Sequence, residues 1–142
     1  MSVRLRALAL TLVVGLVPAA LVAQSTRLLH QPDVSARYVA FAYAGDIWLV
    51  SKDGGDARRV TSSPTVESDP HFSPDGKWLA FTGEYGGNPD VYIVGVDGGA
   101  PQRLTWHPGP DLVRGWTPDG KRVVFGSTRT GMPDGEPRLW SV

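Results

Sequence analysis

The stretch Phe72-Ser73-Pro74-Asp75-Gly76-Lys77-Trp78-Leu79-Ala80-Phe81 returns 44 residues later as Trp116-Thr117-Pro118-Asp119-Gly120-Lys121-Arg122-Val123-Val124-Phe125. Two further blocks keep the same 44-residue spacing: Asp46–Val50 (DIWLV) returns as Asp90–Val94 (DVYIV), and Lys52–Thr61 returns as Val96–Thr105. Three separate blocks with one period are an internal repeat, and such a repeat is read before any secondary structure because it dictates the architecture. A weaker third copy of the middle block, Arg138–Val142 (RLWSV), lags by 48 residues because the loop before it is longer.

Each copy reads as four short strands. In the complete copy they are Asp69–Ser73 (a), Trp78–Thr82 (b), Asp90–Val94 (c) and Gln102–Thr105 (d), rich in apolar, aromatic and β-branched residues and separated by Gly and Pro. The first copy reads as Leu28–Pro32, Tyr38–Ala42, Asp46–Val50 and Arg58–Thr61, and the third ends within or just after strand c. The a–b connections Ser73-Pro74-Asp75-Gly76 and Thr117-Pro118-Asp119-Gly120 suit a type I turn whose Gly takes positive φ. The c–d connections carry Gly54 in Asp53-Gly54-Gly55 and Gly98 in Asp97-Gly98-Gly99, a second positive-φ hairpin signal. Four hairpin-linked strands in ~40–45 residues are the signature of a propeller blade. The predicted fold is therefore all-β: blade 1 at about 28–61, blade 2 at about 69–105 and part of blade 3 at about 112–142, or two and three-quarter blades. Propellers close with ~4–8 blades, so the expectation is the front part of something longer; the alternative is several copies assembling into a ring.

Composition agrees. The 142 residues include 17 Gly and 12 Pro, which disfavours helical bundles. Balanced charge, 14 basic against 14 acidic residues, argues against a nucleic-acid arm or a polybasic membrane patch. Without cysteine there is no disulfide framework, thiolate nucleophile or Cys-ligated metal. Residues 1–23 stand apart: Arg4 and Arg6 precede an uncharged run from Ala7, broken by Pro18 and ending Ala20-Leu21-Val22-Ala23. This reads as a cleaved secretory signal, since its 17 uncharged residues fall short of the ~20 of a spanning helix. Cleavage would leave residues 24–142, exported to the periplasm or beyond, with 12 basic and 14 acidic side chains.

Up-down connectivity sorts the loops onto two faces. The a–b and c–d turns share one face and repeat closely. The b–c and d–a loops share the other, where the repeat breaks down: Tyr43-Ala44-Gly45 becomes Gly83–Pro89 and then Thr128–Pro137. Variable loops of repeat proteins are where binding concentrates, so the candidate binding residues are Glu84, Tyr85, Asn88, Trp106, His107 and Arg129. On this reading Tyr85→Ala or His107→Ala weakens capture and leaves melting nearly unchanged. Pro74, Asp75, Gly76, Pro118, Asp119, Gly120, Gly54 and Gly98 are structural turn residues.

The chemistry available is that of recognition. His30, His71 and His107 occupy unrelated repeat positions, so neither a metal nor any other cofactor is expected. No Gly-x-Ser-x-Gly elbow supports a catalytic triad. The aspartates Asp46, Asp75, Asp90, Asp97 and Asp119 repeat between copies, as turn and strand-end hydrogen-bonders do, and Asp53 with Asp56 falls short of a calcium loop. Trp48, Tyr92 and Trp140 are equivalent, as are Phe72 and Trp116, and are expected between blades; Trp78 and Trp106 lack aromatic counterparts in every copy and are freer to serve a site.

The FSPDGKWLAF and WTPDGKRVVF blocks resemble the Pro-Asp-containing, WD40-like repeats of TolB-like propellers. FTGEYGGNPDVYIV, GGAPQRLTWHPGPD and WTPDGKRVVF, in that order, look like the amino-terminal propeller of tricorn-type serine peptidases, as does the opening PDVSARYVAFAYAGDIWLV. The resemblance implies a six-bladed propeller that handles oligopeptides for catalytic domains lying downstream, with no catalytic residue in this segment. Partners on this view are peptides or a protein, the downstream peptidase domains and further copies of the chain, with no nucleic acid and no membrane. Two alternatives are a TolB-like interaction propeller of the cell envelope and a propeller fused to another hydrolase, such as an amidohydrolase.

Overall fold

The structure, a computed structural model, describes residues 29–129 and 135–142. The proposed signal segment, Leu28 and the middle of the longest b–c loop lie outside these residues. Among the described residues eleven strands follow in order: β1 (His30–Val34), β2 (Tyr38–Tyr43), β3 (Asp46–Ser51), β4 (Arg58–Arg59), β5 (Glu67–Phe72), β6 (Trp78–Gly83), β7 (Asp90–Gly95), β8 (Gln102–Arg103), β9 (Asp111–Trp116), β10 (Val123–Ser127) and β11 (Arg138–Ser141). They form antiparallel sheets in the orders β1-β2-β3-β4, β5-β6-β7-β8 and β11-β10-β9. Each sheet is one blade. Strands β1, β5 and β9 pack side by side, so strand a of each blade is innermost and strand d outermost.

The turn chemistry works as the sequence requires. Gly76 and Gly120 take φ of 69° and 68°, and the Gly76 amide closes on Ser73 O at 2.8 Å. Asp75 Oδ1 accepts from the Ser73 hydroxyl (2.6 Å) and the Lys77 amide (3.0 Å), and the Trp78 amide donates to Ser73 Oγ (3.0 Å). Thr117, Asp119 and Lys121 repeat the set. These hydrogen bonds, first the hydroxyl and then the amide, hold the Asp75 and Asp119 carboxyls below their ordinary pKa.

Several strand boundaries differ from the sequence expectation for physical reasons. The outer strands are shorter because the Thr61 and Thr105 hydroxyls, not the backbone, receive the Ile47 and Val91 amides, at 2.9 and 3.0 Å. The inner strand of blade 2 starts earlier, at Glu67, and absorbs a bulge at Asp69-Pro70, where Asp69 adopts φ of 51°. Blade 1 has the same device at Gln31-Pro32, with Gln31 at φ 53°. Strand β1 lies further along than expected because its turn, Ser35 to Tyr38, has two residues fewer than the Ser73 to Trp78 turn.

Period-2 alternation gives each blade two apolar faces. Leu79, Phe81, Tyr92 and Val94 of blade 2 pack with Ala40, Ala42, Ile47 and Leu49 of blade 1. Ala80 and Val91, on the other face, pack with Val113, Val123 and Phe125 of blade 3. In both seams the earlier blade contributes alanine to a cluster that holds a phenylalanine of the next blade. Polar ties reinforce the stack: Asp33 accepts the Phe72 amide (2.7 Å), Thr82 Oγ1 accepts the Val113 amide (3.0 Å), and the Trp116 indole donates to His71 O (2.9 Å).

Because alanine at either turn glycine must hold positive φ, Gly76→Ala and Gly120→Ala each cost about 1 kcal/mol or somewhat more. Gly76→Asn, whose side chain tolerates that region, costs less. Thermal melts followed by circular dichroism check both; an unchanged midpoint for the alanine variants would refute the turn assignment.

Candidate functional site

The variable face is built on buried carboxylates. Asp46 and Asp90 open strand c of blades 1 and 2, and each is bridged by the arginine opposite on strand d: Arg59 at 3.2 Å and Arg103 at 2.5 Å. Thr105 Oγ1 donates to Asp90 Oδ1 at 3.2 Å, closing an Asp–Arg–Thr lock. A second acid opens strand a: Glu67 in blade 2 and Asp111 in blade 3, 44 residues apart and both fully buried. Their partners come from the b–c loops, again 44 residues apart. The Tyr85 hydroxyl donates to Glu67, which also accepts from Thr61, while Arg129 pairs with Asp111 at 2.6 Å.

The electrostatics follow from burial. Desolvation raises the Glu67 pKa above 4.5, and the hydrogen bonds from Thr61 and Tyr85 only partly offset it; the neighbouring Asp46 charge adds to the rise. Burial and then the bond to Glu67 push the Tyr85 hydroxyl far above the ordinary phenol range, so it stays a donor. Tyr85 also packs edge-on against Phe81 and Tyr92, with ring centroids 6.4 and 4.5 Å away. The sequence expectation that Tyr85→Ala leaves melting unchanged is therefore corrected: the ring and hydroxyl both anchor the loop to the core.

The remaining sequence-designated residues gather mostly on blade 2. Asn88 Nδ2 donates to His107 O (3.0 Å) and Gly109 O (3.3 Å), cross-bracing the b–c and d–a loops. The Gly109 amide donates to His107 Nδ1 at 3.0 Å. A side chain at Gly109 would approach the His107 ring within 3.1 Å and Thr128 Oγ1 within 3.6 Å, so this loop also abuts the b–c loop of blade 3. Trp106 stands out from this braced pedestal, 69% exposed, with the Arg103 guanidinium 5.9 Å from its ring centroid. Glu84, next to Tyr85 in sequence, is exposed, its amide bonded to Val66 O at 3.2 Å. Arg129 sits apart on blade 3, its guanidinium 4.8 and 5.3 Å from the Phe125 and Trp140 rings.

Glu67, Asp111 and Arg103 escaped the sequence reading as parts of this site. The signal was present in the spacing: Glu67/Asp111, Tyr85/Arg129 and Arg59/Arg103 all stand 44 residues apart. The arrangement offers an exposed aromatic and exposed polar groups on a rigid base. Among the described residues no group of three or more His, Asp and Glu is placed to hold a metal ion.

Four-stranded antiparallel sheets stacked through their inner strands define a β-propeller. A family model described as the tricorn protease N-terminal beta propeller domain matches residues 26–142, and the chain belongs to that family. Over short stretches the chain is similar to the Tol-Pal system protein TolB of Bordetella pertussis, 43% identical over 44 residues, covering 30% of this chain and 10% of that protein. It is also similar to tricorn protease homolog 1 of Streptomyces coelicolor, 40% identical over 62 residues, covering 44% of this chain and 6% of that one. Among solved structures, TolB from Acinetobacter baumannii superposes with a TM-score of 0.69 at 28% identity, over 80% of this chain and 29% of that one. The tricorn protease crystal structure gives a TM-score of 0.62 at 25% identity, over 70% of this chain and 11% of that one. The chain thus spans a small part of the length of each of these proteins.

Two outcomes follow from the buried acids. Arg129→Met, which strands the buried Asp111 carboxylate, destabilises by roughly 3 kcal/mol, whereas Arg59→Met, removing a half-exposed partner, costs about 1 kcal/mol or less. Urea unfolding of the two variants checks the contrast. For Glu67 the raised folded pKa means that the unfolded state ionises first as pH climbs past 4.5, so wild-type stability falls from there up to the elevated value. Glu67→Gln removes that fall, and its stability relative to wild type rises with pH; a difference flat between about pH 4 and about pH 7 would refute the linkage.

Proposed function

We propose that this chain is a non-catalytic propeller segment of an exported, tricorn-like serine peptidase, and that its variable face binds oligopeptides on their way to or from catalytic domains elsewhere in the protein. The observation that carries the reading is Trp106: a large, mostly exposed aromatic held on a pedestal that Asn88 and His107 brace. A rigid aromatic with flanking polar groups is the usual anchor of peptide and protein recognition, because it gains contact area with little ordering cost. The Arg103 guanidinium supplies positive charge beside it, and Glu84 adds an exposed carboxylate in the b–c loop of the same face, suited to the termini and side chains of a short peptide. Family membership supports the peptidase context. Export rests on the positively charged, then apolar, segment at 1–23.

A second reading draws on the TolB likeness: the same face binds a folded protein partner, with no peptidase attached. One experiment separates them. Incubated with a random oligopeptide pool, the chain retains a subset of peptides, releases them uncleaved by mass spectrometry, and loses that capture on Trp106→Ala with no shift in melting temperature. Cleavage by this chain would overturn the non-catalytic assignment, and equal capture by wild type and Trp106→Ala would overturn the site.

A further inference from the structure

The opposite face, formed by the a–b and c–d turns, holds a second feature. Successive a–b turns lean on one another: a β-carbon at Gly120 would lie 3.4 Å from Pro74 Cδ, and one at Gly76 would lie 3.6 Å from Ser35 Cβ. Between blades 2 and 3 the prop is the projecting Pro-Asp-Gly turn. Between blades 1 and 2 it is only Ser35-Ala36-Arg37, the turn that is two residues shorter. The shortening leaves a cleft of about 470 Å³ between the two blades, walled by Arg37, Tyr38, Lys77, Trp78 and Asp97. Two smaller hollows adjoin over the same short turn, one toward Phe72 and Pro74 and one toward Lys52 and Asp53, making a trough across it.

The walls are chemically uneven. Trp78 is 39% exposed at the start of β6; Tyr38 holds the same place in blade 1, and Arg122 in blade 3. Of the charged groups in the cleft, Asp75 is spent on the turn, accepting from Ser73 and Lys77. The Arg37 guanidinium lies over the Tyr38 ring, 5.1 Å from its centroid, and donates to the Tyr38 hydroxyl at 3.1 Å. The Lys77 ammonium has no ion pair among the described residues, whose three salt bridges all lie on the opposite face. Asp97, expected as a turn hydrogen-bonder, lies in the c–d turn but its carboxylate takes no hydrogen bond among the described residues, unlike that of Asp75. Two available cations flanking an exposed indole, against one available acid, favour a ligand that brings a carboxylate and an apolar side chain together.

We infer that this cleft is a second binding site, distinct from the Trp106 face, and that its ligand is an extended, acidic segment of another polypeptide, an apolar residue seated on Trp78 and a neighbouring carboxylate on Lys77 and Arg37. The trough shape selects an extended segment over a single small molecule, because the three hollows run on from one another across Ser35–Arg37.

The five tryptophans make the test direct. With the full chain labelled with ¹⁵N-tryptophan, each indole signal is assigned by a single Trp→Phe change, and two short peptides are titrated, one alternating leucine with aspartate, the other leucine with lysine. The expected result is that the acidic peptide moves the Trp78 indole and leaves Trp106 in place, while the lysine peptide moves neither. Lys77→Glu with Arg37→Glu weakens the acidic peptide by about tenfold or more, and the milder Lys77→Gln weakens it less; unchanged Trp116 and Trp140 signals certify the fold of each variant. Equal response of Trp78 to both peptides, response at Trp106 alone, or no response to the acidic peptide overturns the proposal.

Discussion

The burial of one sheet face against the next is the constraint on which the rest of this molecule depends. A four-stranded sheet with apolar residues on both sides cannot satisfy itself, so each blade is stable only as a member of a stack. The sequence meets this with asymmetry: Leu79 and Phe81 point back onto Ala40 and Ala42, while Ala80 and Val91 leave room for Phe125 and Val123. Setting large side chains against small ones is one way a seam reaches the packing density of an interior. The polar ties from Asp33, Thr82 and Trp116 then fix how far one blade can slide on another, because each spends a backbone group that would otherwise be buried without a partner.

Features set by local chemistry were legible in the sequence. A hydroxyl, a proline, an aspartate and a glycine in succession can form few structures, and both copies form the same turn with the same hydrogen bonds. The 44-residue period made the blade count and the two-face arrangement readable, since connectivity alone decides which loops share a face. Asp46 and Asp90 were read as strand-end hydrogen-bonders and hold strand-d arginines in that role.

What was not legible depends on contacts between copies. Nothing in Gln31-Pro32 or Asp69-Pro70 announces a bulge at positive φ; the strain is held because Gln31 Nε2 donates to Asp69 Oδ1 at 2.6 Å across the blade boundary. The shorter outer strands likewise reflect a threonine hydroxyl standing in for a backbone carbonyl, a substitution that propensity does not register. Tyr85 looked like a surface loop residue because its partner, Glu67, lies 18 positions away and belongs to the innermost strand.

That pairing also explains how one face can vary while the fold does not. A buried acid at the start of strand a needs a donor reaching over from the b–c loop, and blade 2 supplies a phenol where blade 3 supplies a guanidinium. The two answers differ in charge: Glu67 meets neutral donors and gains by keeping its proton, whereas Asp111 meets the cationic guanidinium of Arg129 at 2.6 Å. Each answer nails the root of its loop to the core, so the b–c loops can differ in length and composition from blade to blade without disturbing the blades beneath. The other face has no such freedom, because its turns prop one another, and there a chemical opportunity arises only where a turn is shortened, as at Ser35–Arg37. Diversity by anchored loops on one side and by a missing prop on the other are thus two outcomes of the same stacked repeat.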